Sequence, residues 1–423
     1  MNRLALKLRF CAAFLLLGLW GADAQTVREQ IAAVPERAGG IYHSYEYRPA
    51  AAAPVPDGYT PFYISHYGRH GSRYHSSEKA YDRPLGVLLQ ASEAGKLTPK
   101  GQEVLAKVEA LAADAYLRYG DLSPRGTAEH RGIAERMYAA WPEVFSTDGG
   151  RVCRVESRST LVPRCILSMA AFNERLKELN PAITTTRDAS GRYLDYMARG
   201  NSLVLARKAV AAVADSLSRA RLNPDRLVRS LVTDPRTVAE PLELMQDLYM
   251  LASIVQDVSH LGIEPFYDIF TDEELYSLWE CENALRYMQM GPSARFGDPI
   301  VADAGALLRN IVETAEEVIG GGKELAASLR FGHDVNVIPL VALLGVREAS
   351  GRVWTAEEAA GVWQIHRVSP MATNVQFIFF RNPETGDVRV RVLHNERDAE
   401  LPIGGGPYYP WETLRDYCKS LYE

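Results

Sequence analysis

The segment "YISHYGRHGSRYH", residues 63–75, joins an apolar stretch to a loop rich in glycine, arginine and histidine. Its first part, with Phe62 before it, consists of residue types that favour a β-strand. In the loop, His70 lies between Arg69 and Arg73, and glycines flank the Arg-His pair. Ligands of α/β sheets bind beyond the carboxyl ends of the strands, so this loop is a candidate binding site.

The charged residues of the loop suit a phosphate group. The guanidinium groups of Arg69 and Arg73 are planar and permanently charged, and they match the geometry of phosphate oxygens. Gly71 permits the backbone to approach a ligand closely. Because nearby positive charge lowers the pKa of an imidazole, His70 should be neutral and able to attack phosphorus as a nucleophile.

A metal site fits this loop poorly. His66 and His70 are four residues apart, which is the spacing of two ligands on one helix face. Gly68 and Gly71 argue against a helix here, and the two arginines would repel a divalent cation. We therefore expect no metal and no other cofactor.

Two other catalytic motifs also fail. The segment "VIGGGKELAAS" contains Gly322-Lys323, but Glu317 and Glu324 stand where a phosphate-binding P-loop needs glycine and a hydroxyl residue. Ser72 lacks the glycine spacing of a nucleophile elbow. Phosphate chemistry on the arginine-histidine loop is the interpretation that remains.

Strand and helix signals in the rest of the chain predict an α/β protein. The predicted strands are residues 62–66, 151–158, 325–332, 375–381 and 388–393, the last two forming a hairpin around "PETGD". The predicted helices cover residues 99–120, 124–141 and 164–179 and most of residues 200–320. A hydroxyl residue before a proline, Thr98 or Ser123, begins each of the first two helices.

We therefore expect a mixed central sheet flanked by helices. Residues 25–170 and 320–423 would form the α/β catalytic domain. Residues 170–320 would form an inserted helical subdomain.

The composition and the first residues of the chain bear on its partners and location. The chain has 423 residues and a net charge of −6, and it has no basic run, so we expect no nucleic-acid partner. Residues 1–24 have the layout of a secretory signal peptide, with basic residues before an apolar run and small residues before Gln25. The mature protein should be exported, periplasmic or secreted, and without a membrane segment.

Four cysteines follow the predicted signal peptide: Cys153, Cys165, Cys281 and Cys418. An even number in an exported protein permits disulfides, and buried free thiols are an equally good interpretation. The sequence does not choose between them.

The motif "RHGSR", residues 69–73, resembles the signature of the histidine acid phosphatases, branch 2 of the histidine phosphatase superfamily. The similarity extends over most of the mature chain. Further segments that resemble the family are "LTPKG" (97–101), "LSPRGTAEHRGIAERM" (122–137), "SRSTLVPRCILSMAAF" (157–172), "RFGHDVN" (330–336), "VRVLHNER" and "PYYPWETLRDYC".

The resemblance implies a fold, an activity and a set of roles. The fold would be that of the histidine phosphatases and phosphoglycerate mutases, with the inserted helices shaping the substrate pocket. The activity would be a metal-independent acid phosphomonoesterase, in which His70 attacks phosphorus and becomes a phosphohistidine. Asp334 would donate the proton to the leaving oxygen. The phosphoryl oxygens would be held by Arg69, Arg73, Arg164 and His333.

The substrate expected from the resemblance is a small phosphorylated molecule, such as an inositol phosphate or a sugar phosphate. The multiple inositol polyphosphate phosphatases and phytases are the suggested group. The former usually have His-Ala-Glu where this chain has His333-Asp334, the pair found in His-Asp phytases and general acid phosphatases. A phosphoryl mutase and an inactive phosphate-binding module stay open as alternatives. Histidines with a weaker claim or a structural role are His43, His66, His75, His130, His260, His366 and His394.

Overall fold

The computed structural model describes residues 26–50, 53–197 and 202–423. The predicted signal peptide, residues 1–24, lies outside the described residues. The described part of the chain contains one eight-stranded sheet with the strand order β3-β2-β4-β1-β5-β6-β7, and β8 pairs with β6. The strands are β1 (Thr60–Arg69), β2 (Arg154–Ser159), β3 (Thr184–Ala189), β4 (Ala327–Gly332), β5 (Asn374–Arg381), β6 (Val388–His394), β7 (Arg397–Asp398) and β8 (Tyr408–Pro410).

The sheet is mixed, as predicted. Strands β1, β4, β2 and β3 run parallel to one another. Strands β5 and β6 form the antiparallel hairpin, and β5 pairs antiparallel with β1. Arg69 at the end of β1 pairs with Gly332 at the end of β4, and Ser159 at the end of β2 pairs with Phe331. The carboxyl ends of three parallel strands therefore meet at one edge of the sheet.

Helices surround this sheet. They are α1 (Val27–Ala33), α2 (Lys79–Glu93), α3 (Pro99–Ala115), α4 (Pro124–Ala140), α5 (Pro163–Leu179), α6 (Leu194–Met197), α7 (Ser202–Arg221), α8 (Asp225–Leu231), α9 (Pro241–Val255), α10 (Asp272–Met290), α11 (Gly297–Ala302), α12 (Gly305–Ile319), α13 (Asp334–Leu343), α14 (Ala359–Val362), α15 (Ile365–Val368) and α16 (Trp411–Ser420). Short 3-10 helices lie at Pro35–Tyr42, Asp148–Gly150, Gly191–Tyr193, Pro235–Thr237, Gln256–Leu261 and Tyr267–Ile269.

The predicted helix starts are confirmed at the level of single hydrogen bonds. The hydroxyl of Thr98 accepts the N–H of Gly101 at 3.0 Å, and that of Ser123 accepts the N–H of Gly126 at 3.2 Å. Each cap satisfies one of the N–H groups that a helix start leaves without a partner. Helix α5 ends before Asn180, as its Asn-Pro sequence predicts.

Alternating residues of the strands face two separate cores. On one face, Ile64 of β1 packs with residues of α4 and α5, including Ile133 and Phe172. On the other face, Tyr63 and Tyr67 join a larger core that also contains the helices after β3. That core is continuous, and α12 of the predicted insertion packs against β1.

Strand β3 and helix α2 are among the elements that the sequence analysis missed. Strand β3 lies within residues 170–320, where only helices were expected, and it is mostly exposed at the edge of the sheet. Helix α2 contains Pro84 in its interior, a residue that lowers helix propensity. The division of the chain into a catalytic domain and an inserted subdomain stays a prediction.

Within residues 26–50, 53–197 and 202–423, no helix has the length and apolar character required to cross a bilayer. The four cysteines after the predicted signal peptide are all buried as free thiols. Of the two interpretations that the sequence left open, the structure therefore has free thiols.

Candidate functional site

The predicted site lies where β1, β2 and β4 end. The backbone N–H of His70 donates to the carbonyl of Gly332 at 2.9 Å, and the N–H of Thr160 donates to the carbonyl of Phe331 at 3.2 Å. These bonds extend the sheet ladder by one residue and place the segments after the three strands side by side. They bring His70 next to His333, and the centroids of the two imidazole rings are 5.7 Å apart.

The glycines of the loop serve packing inside the protein. A Cβ atom at Gly71 would lie 2.4 Å from the carbonyl oxygen of Gly126, and one at Gly126 would lie 2.2 Å from that of Ser72. The backbone of the loop therefore touches the first turn of α4 at a distance that only glycine permits on both sides. The sequence analysis attributed Gly71 to the approach of a ligand, whereas its nearest neighbour is this turn.

The tautomer of His70 follows from its hydrogen bond. Its Nδ1 lies 2.9 Å from the carbonyl oxygen of Gly71, which can only accept a proton. Nδ1 therefore carries the hydrogen, and Nε2 keeps its lone pair. Burial lowers the pKa of His70 well below its ordinary value, and the charges of Arg69, Arg73 and Arg164 lower it further. His70 is neutral, as predicted from its neighbours.

Three arginines present buried nitrogens without a hydrogen-bond partner in the described part of the chain: Nε and Nη2 of Arg69, Nε of Arg73 and Nε of Arg164. Other nitrogens of these groups fix their positions. Nη1 of Arg69 donates to the carbonyls of Ile41 and Ser369 at 2.9 Å each, and Nη1 of Arg73 donates to that of Tyr74 at 2.7 Å. Buried donors without partners cost free energy, and the charges of all three arginines act on His70, so these groups indicate a site for an anion.

Asp334 and His333 complete the group. Oδ2 of Asp334 lies 3.3 Å from Nη2 of Arg69 in an ion pair whose alignment is poor for a hydrogen bond. Burial raises the pKa of Asp334, but the charges of Arg69, His333, Arg73 and Arg286 outweigh it and lower the pKa to about 2. Nε2 of His333 lies 3.2 Å from Oγ1 of Thr160. Asp334 is thus ionised over most of the pH range in the free protein.

A cavity of about 620 Å³ opens above these residues. Five of the six predicted site residues line it: His70, Arg73, Arg164, His333 and Asp334. Arg69 is absent from the lining; it is fully buried and ion-paired with Asp334. The volume is within the range of roughly 300–1,000 Å³ that is usual for small-molecule sites.

Two further arginines, Arg207 of α7 and Arg286 of α10, also line the cavity. Nε of Arg286 donates to Oε1 of Glu282 at 2.6 Å, and Nη1 donates to Oε1 of Gln289 at 3.2 Å. The sequence analysis missed both arginines, because only the packing of α7 and α10 brings them here. Other basic residues of the helical region pair with acidic groups: Arg219 of α7 with Asp215 and Arg226 of α8 with Glu274.

The other histidines lie away from the described lining of this cavity. His66 packs between Phe172 and Phe331, and burial lowers its pKa to about 3. Nε2 of His75 lies 2.9 Å from the carbonyl of Met250. The described part of the cavity wall contains none of the histidines His43, His66, His75, His130, His260, His366 and His394.

The described residues contain no group of three or more histidine, cysteine, aspartate or glutamate side chains that could hold a metal ion. The described side chains at the predicted site are guanidinium, imidazole and carboxyl groups.

Comparison with known proteins agrees with this geometry. A model described as the histidine phosphatase superfamily (branch 2) matches residues 68–395. The chain belongs to this family. As a member, it is a phosphoric monoester hydrolase of the histidine acid phosphatase type. A search among curated proteins finds no match.

Solved structures have the same fold. A multiple inositol polyphosphate phosphatase of Bifidobacterium longum, in complex with inositol hexasulfate, matches with a TM-score of 0.74 and 18% identity. The match covers 89% of this chain and 96% of that chain. A phytase of D. castellii matches with a TM-score of 0.70 and 15% identity, over 96% of this chain and 89% of that chain.

Proposed function

We propose that this protein is an exported, metal-independent acid phosphomonoesterase that forms a phosphohistidine on His70. The observation that carries the proposal is the neutral imidazole of His70, with Nδ1–H bound to the carbonyl of Gly71, beside three guanidinium groups with free buried donors. A lone pair next to an anion-binding cluster is the arrangement that attack on a phosphate monoester requires.

In the first step, Nε2 of His70 attacks phosphorus as the bond to the leaving oxygen breaks. The leaving oxygen takes a proton from Asp334. The new phosphohistidine carries a positive charge on its ring, and the bond from Nδ1–H to the carbonyl of Gly71 stabilises that charge. Arg69, Arg73, Arg164 and His333 bind the three other phosphoryl oxygens during the transfer.

In the second step, water attacks phosphorus and the bond between phosphorus and Nε2 of His70 breaks. The carboxylate of Asp334, which lost its proton in the first step, accepts a proton from this water. Inorganic phosphate leaves, and both residues return to their starting protonation states. The same group thus serves as acid and then as base.

The proposed mechanism predicts activity that is greatest in acid. Asp334 is ionised in the free protein because cationic charge lowers its pKa to about 2. A bound phosphate anion offsets that cationic charge and raises the pKa, and the protonated form is then lost as pH rises. A rate optimum well above neutrality would contradict the role of Asp334 as the proton donor.

The proposed substrate is a small phosphorylated molecule, either an inositol phosphate or a sugar phosphate. The similar Bifidobacterium longum structure holds inositol hexasulfate, an analogue in which sulfates replace phosphates. In this chain, Arg207 and Arg286 also line the cavity; Arg286 is paired with Glu282, and Arg207 supplies a cation for a second anionic group. Export is supported by the signal-peptide pattern of residues 1–24.

The direct experiment is release of inorganic phosphate by wild type and H70A. The screen would contain phytate, sugar phosphates and an aryl phosphate, each with and without a second phosphorylatable alcohol. We expect phosphate release by wild type and none above background by H70A, with unchanged circular dichroism. Turnover by folded H70A would contradict the nucleophile. Transfer to the alcohol in place of release would identify the mutase.

A further inference from the structure

A pair of buried acids lies directly behind the catalytic loop, outside the cavity. Oγ of Ser72 lies 2.7 Å from Oε1 of Glu129 on α4 and 2.7 Å from Oδ1 of Asp257 in the 3-10 helix Gln256–Leu261. Oγ of Ser44 lies 2.8 Å from the same Oδ1. All four residues are buried, with Asp257 at 0% and Glu129 at 7% exposure. Carboxyl groups placed this way are costly unless their charge and hydrogen bonds are balanced.

Glu129 has the partners of a carboxylate. Its Oε2 accepts the backbone N–H of Ser72 at 2.7 Å, and its Oε1 accepts that of Tyr45 at 2.9 Å. Nε of Arg125 lies 3.7 Å from Oε1. The two backbone N–H groups and Arg125 can only donate, so they favour the carboxylate form of Glu129 against the burial that raises its pKa; among these neighbours only the Ser72 hydroxyl could also accept a proton.

Asp257 has the partners of a neutral acid. Its Oδ1 contacts only the hydroxyls of Ser72 and Ser44, and its buried Oδ2 has no hydrogen-bond partner in the part of the chain that the structure describes. Burial raises the pKa of Asp257 well above its ordinary value, and the charge of Glu129 raises it further. Arg73 acts in the opposite direction but does not cancel these effects.

The hydroxyl of Ser72 explains how the two acids share a proton. It has one hydrogen, yet it lies 2.7 Å from two carboxyl oxygens. It donates to the Glu129 carboxylate and must accept from Asp257, which therefore carries a hydrogen itself. The Ser44 hydroxyl then donates to Asp257. Each hydroxyl and carboxyl hydrogen in this chain of four groups has one acceptor.

We propose that Glu129 and Asp257 hold one proton between them across Ser72 and that this pair positions the loop carrying His70 and Arg73. The shared proton does not depend on the reaction, whereas the effect on catalysis rests on the proposed function.

The position of the loop depends on this pair because the N–H, the hydroxyl and the carbonyl of Ser72 are all hydrogen-bonded. Its N–H and its hydroxyl bond to Glu129, and its carbonyl accepts both the N–H and the hydroxyl of Ser123, at 2.9 and 3.0 Å. Ser72 is two residues from His70 and adjacent to Arg73, so a displacement of Ser72 would move both. A misplacement of reacting groups by about 1 Å can cost on the order of 100-fold in rate.

The charges around Asp257 favour a single negative charge on the pair. Besides Glu129 and Arg125 on α4, the ionisable groups near Asp257 are Arg69 and Arg73 on the loop side, Tyr81 on α2 and Tyr267 in the 3-10 helix Tyr267–Ile269. A second buried carboxylate would repel Glu129 at close range. Loss of the shared proton would therefore break the bond between Asp257 and Ser72.

Four variants test the positioning role. In D257N, the amide donates to both hydroxyls, so kcat/KM should stay within about threefold of wild type. In D257A and E129Q, the network loses a donor or the charged acceptor, and kcat/KM should fall about 10- to 100-fold while the fold is retained. E135Q is the matched control, because Glu135 lies on the same helix in an exposed ion pair with Arg175.

The shared proton has a direct spectroscopic test. The infrared difference spectrum of wild type minus D257N at pH 7 should contain the C=O stretch of one protonated carboxyl group. Wild type minus E135Q should lack it. Absence of that band would overturn the proposal even if E129Q fails to fold. An equal fall of kcat/KM in D257N and D257A, or an unchanged kcat/KM in D257A, would overturn the positioning role. Turnover by H70A would instead refute the proposed function and leave the infrared result intact.

Discussion

Replacement of Asp334 by Asn should destabilise the folded protein, because Asp334 is the counter-ion of the arginine cluster. Cationic neighbours outweigh burial and lower the pKa of Asp334 from 3.8 to about 2. A change of this size corresponds to about 2 kcal/mol of preference for the ionised form in the folded state. D334N lacks that charge, so its free energy of unfolding at pH 7 should be lower by about 2 kcal/mol.

The pH dependence of this effect has a definite sign. A carboxyl group with a lowered pKa stabilises the fold above its unfolded pKa and loses that contribution as pH falls through the folded pKa. The difference between wild type and D334N should therefore be constant from pH 7 to about 5. It should shrink as pH falls from 3.8 towards 2.

Inorganic phosphate should reverse the loss. Because a bound anion would replace the missing charge beside Arg69, phosphate should bind D334N more tightly than wild type, by up to about 30-fold if the whole 2 kcal/mol is recovered. The assay is urea unfolding of both proteins across pH, with and without phosphate. Equal stability at pH 7, a difference that grows in acid, or weaker phosphate binding by D334N would refute this reasoning.

Three further predictions concern the site and the core. R164A should lower kcat by about 100-fold, since loss of one charged donor to a transition state costs about 3 kcal/mol, whereas R175A on the same helix should have little effect; equal effects would contradict a specific role for Arg164. Dialysis against a chelator should leave the rate unchanged, because guanidinium groups bind the phosphate; activity that falls and returns with added metal would contradict this. F331A should lower the free energy of unfolding by about 3–5 kcal/mol, because Phe331 is fully buried against Phe172; a loss below 1 kcal/mol in chemical denaturation would contradict that packing.

The parts of the fold with local signals were predictable from sequence. The hydroxyl-proline starts at Thr98 and Ser123 were correct because a cap involves only neighbouring residues. The hairpin of β5 and β6 was correct for the same reason. Strand β3 was missed because its segment, "TTTRDA", is largely exposed and has no apolar alternation; only pairing with β2 makes it a strand.

The site was predictable to the extent that its residues follow strand ends. His70 and His333 come directly after strands that pair in the sheet, so topology brings them together. Arg286 and Asp257 lie in helical segments far along the chain, and their relation to the loop depends on tertiary packing that sequence patterns do not encode. The contact of Gly71 with Gly126 was missed because the two residues are 55 positions apart in the sequence. Without that contact, ligand approach was the remaining reason for a glycine here.

The central claim is that a phosphoryl group passes through Nε2 of His70. The most direct test is rapid quenching of the enzyme during turnover of a phosphate monoester labelled in the phosphoryl group, followed by peptide mapping. We predict acid-labile label on His70 in wild type and none in H70A. Label on another residue, or turnover by wild type with no labelled enzyme at any quench time, would contradict the account.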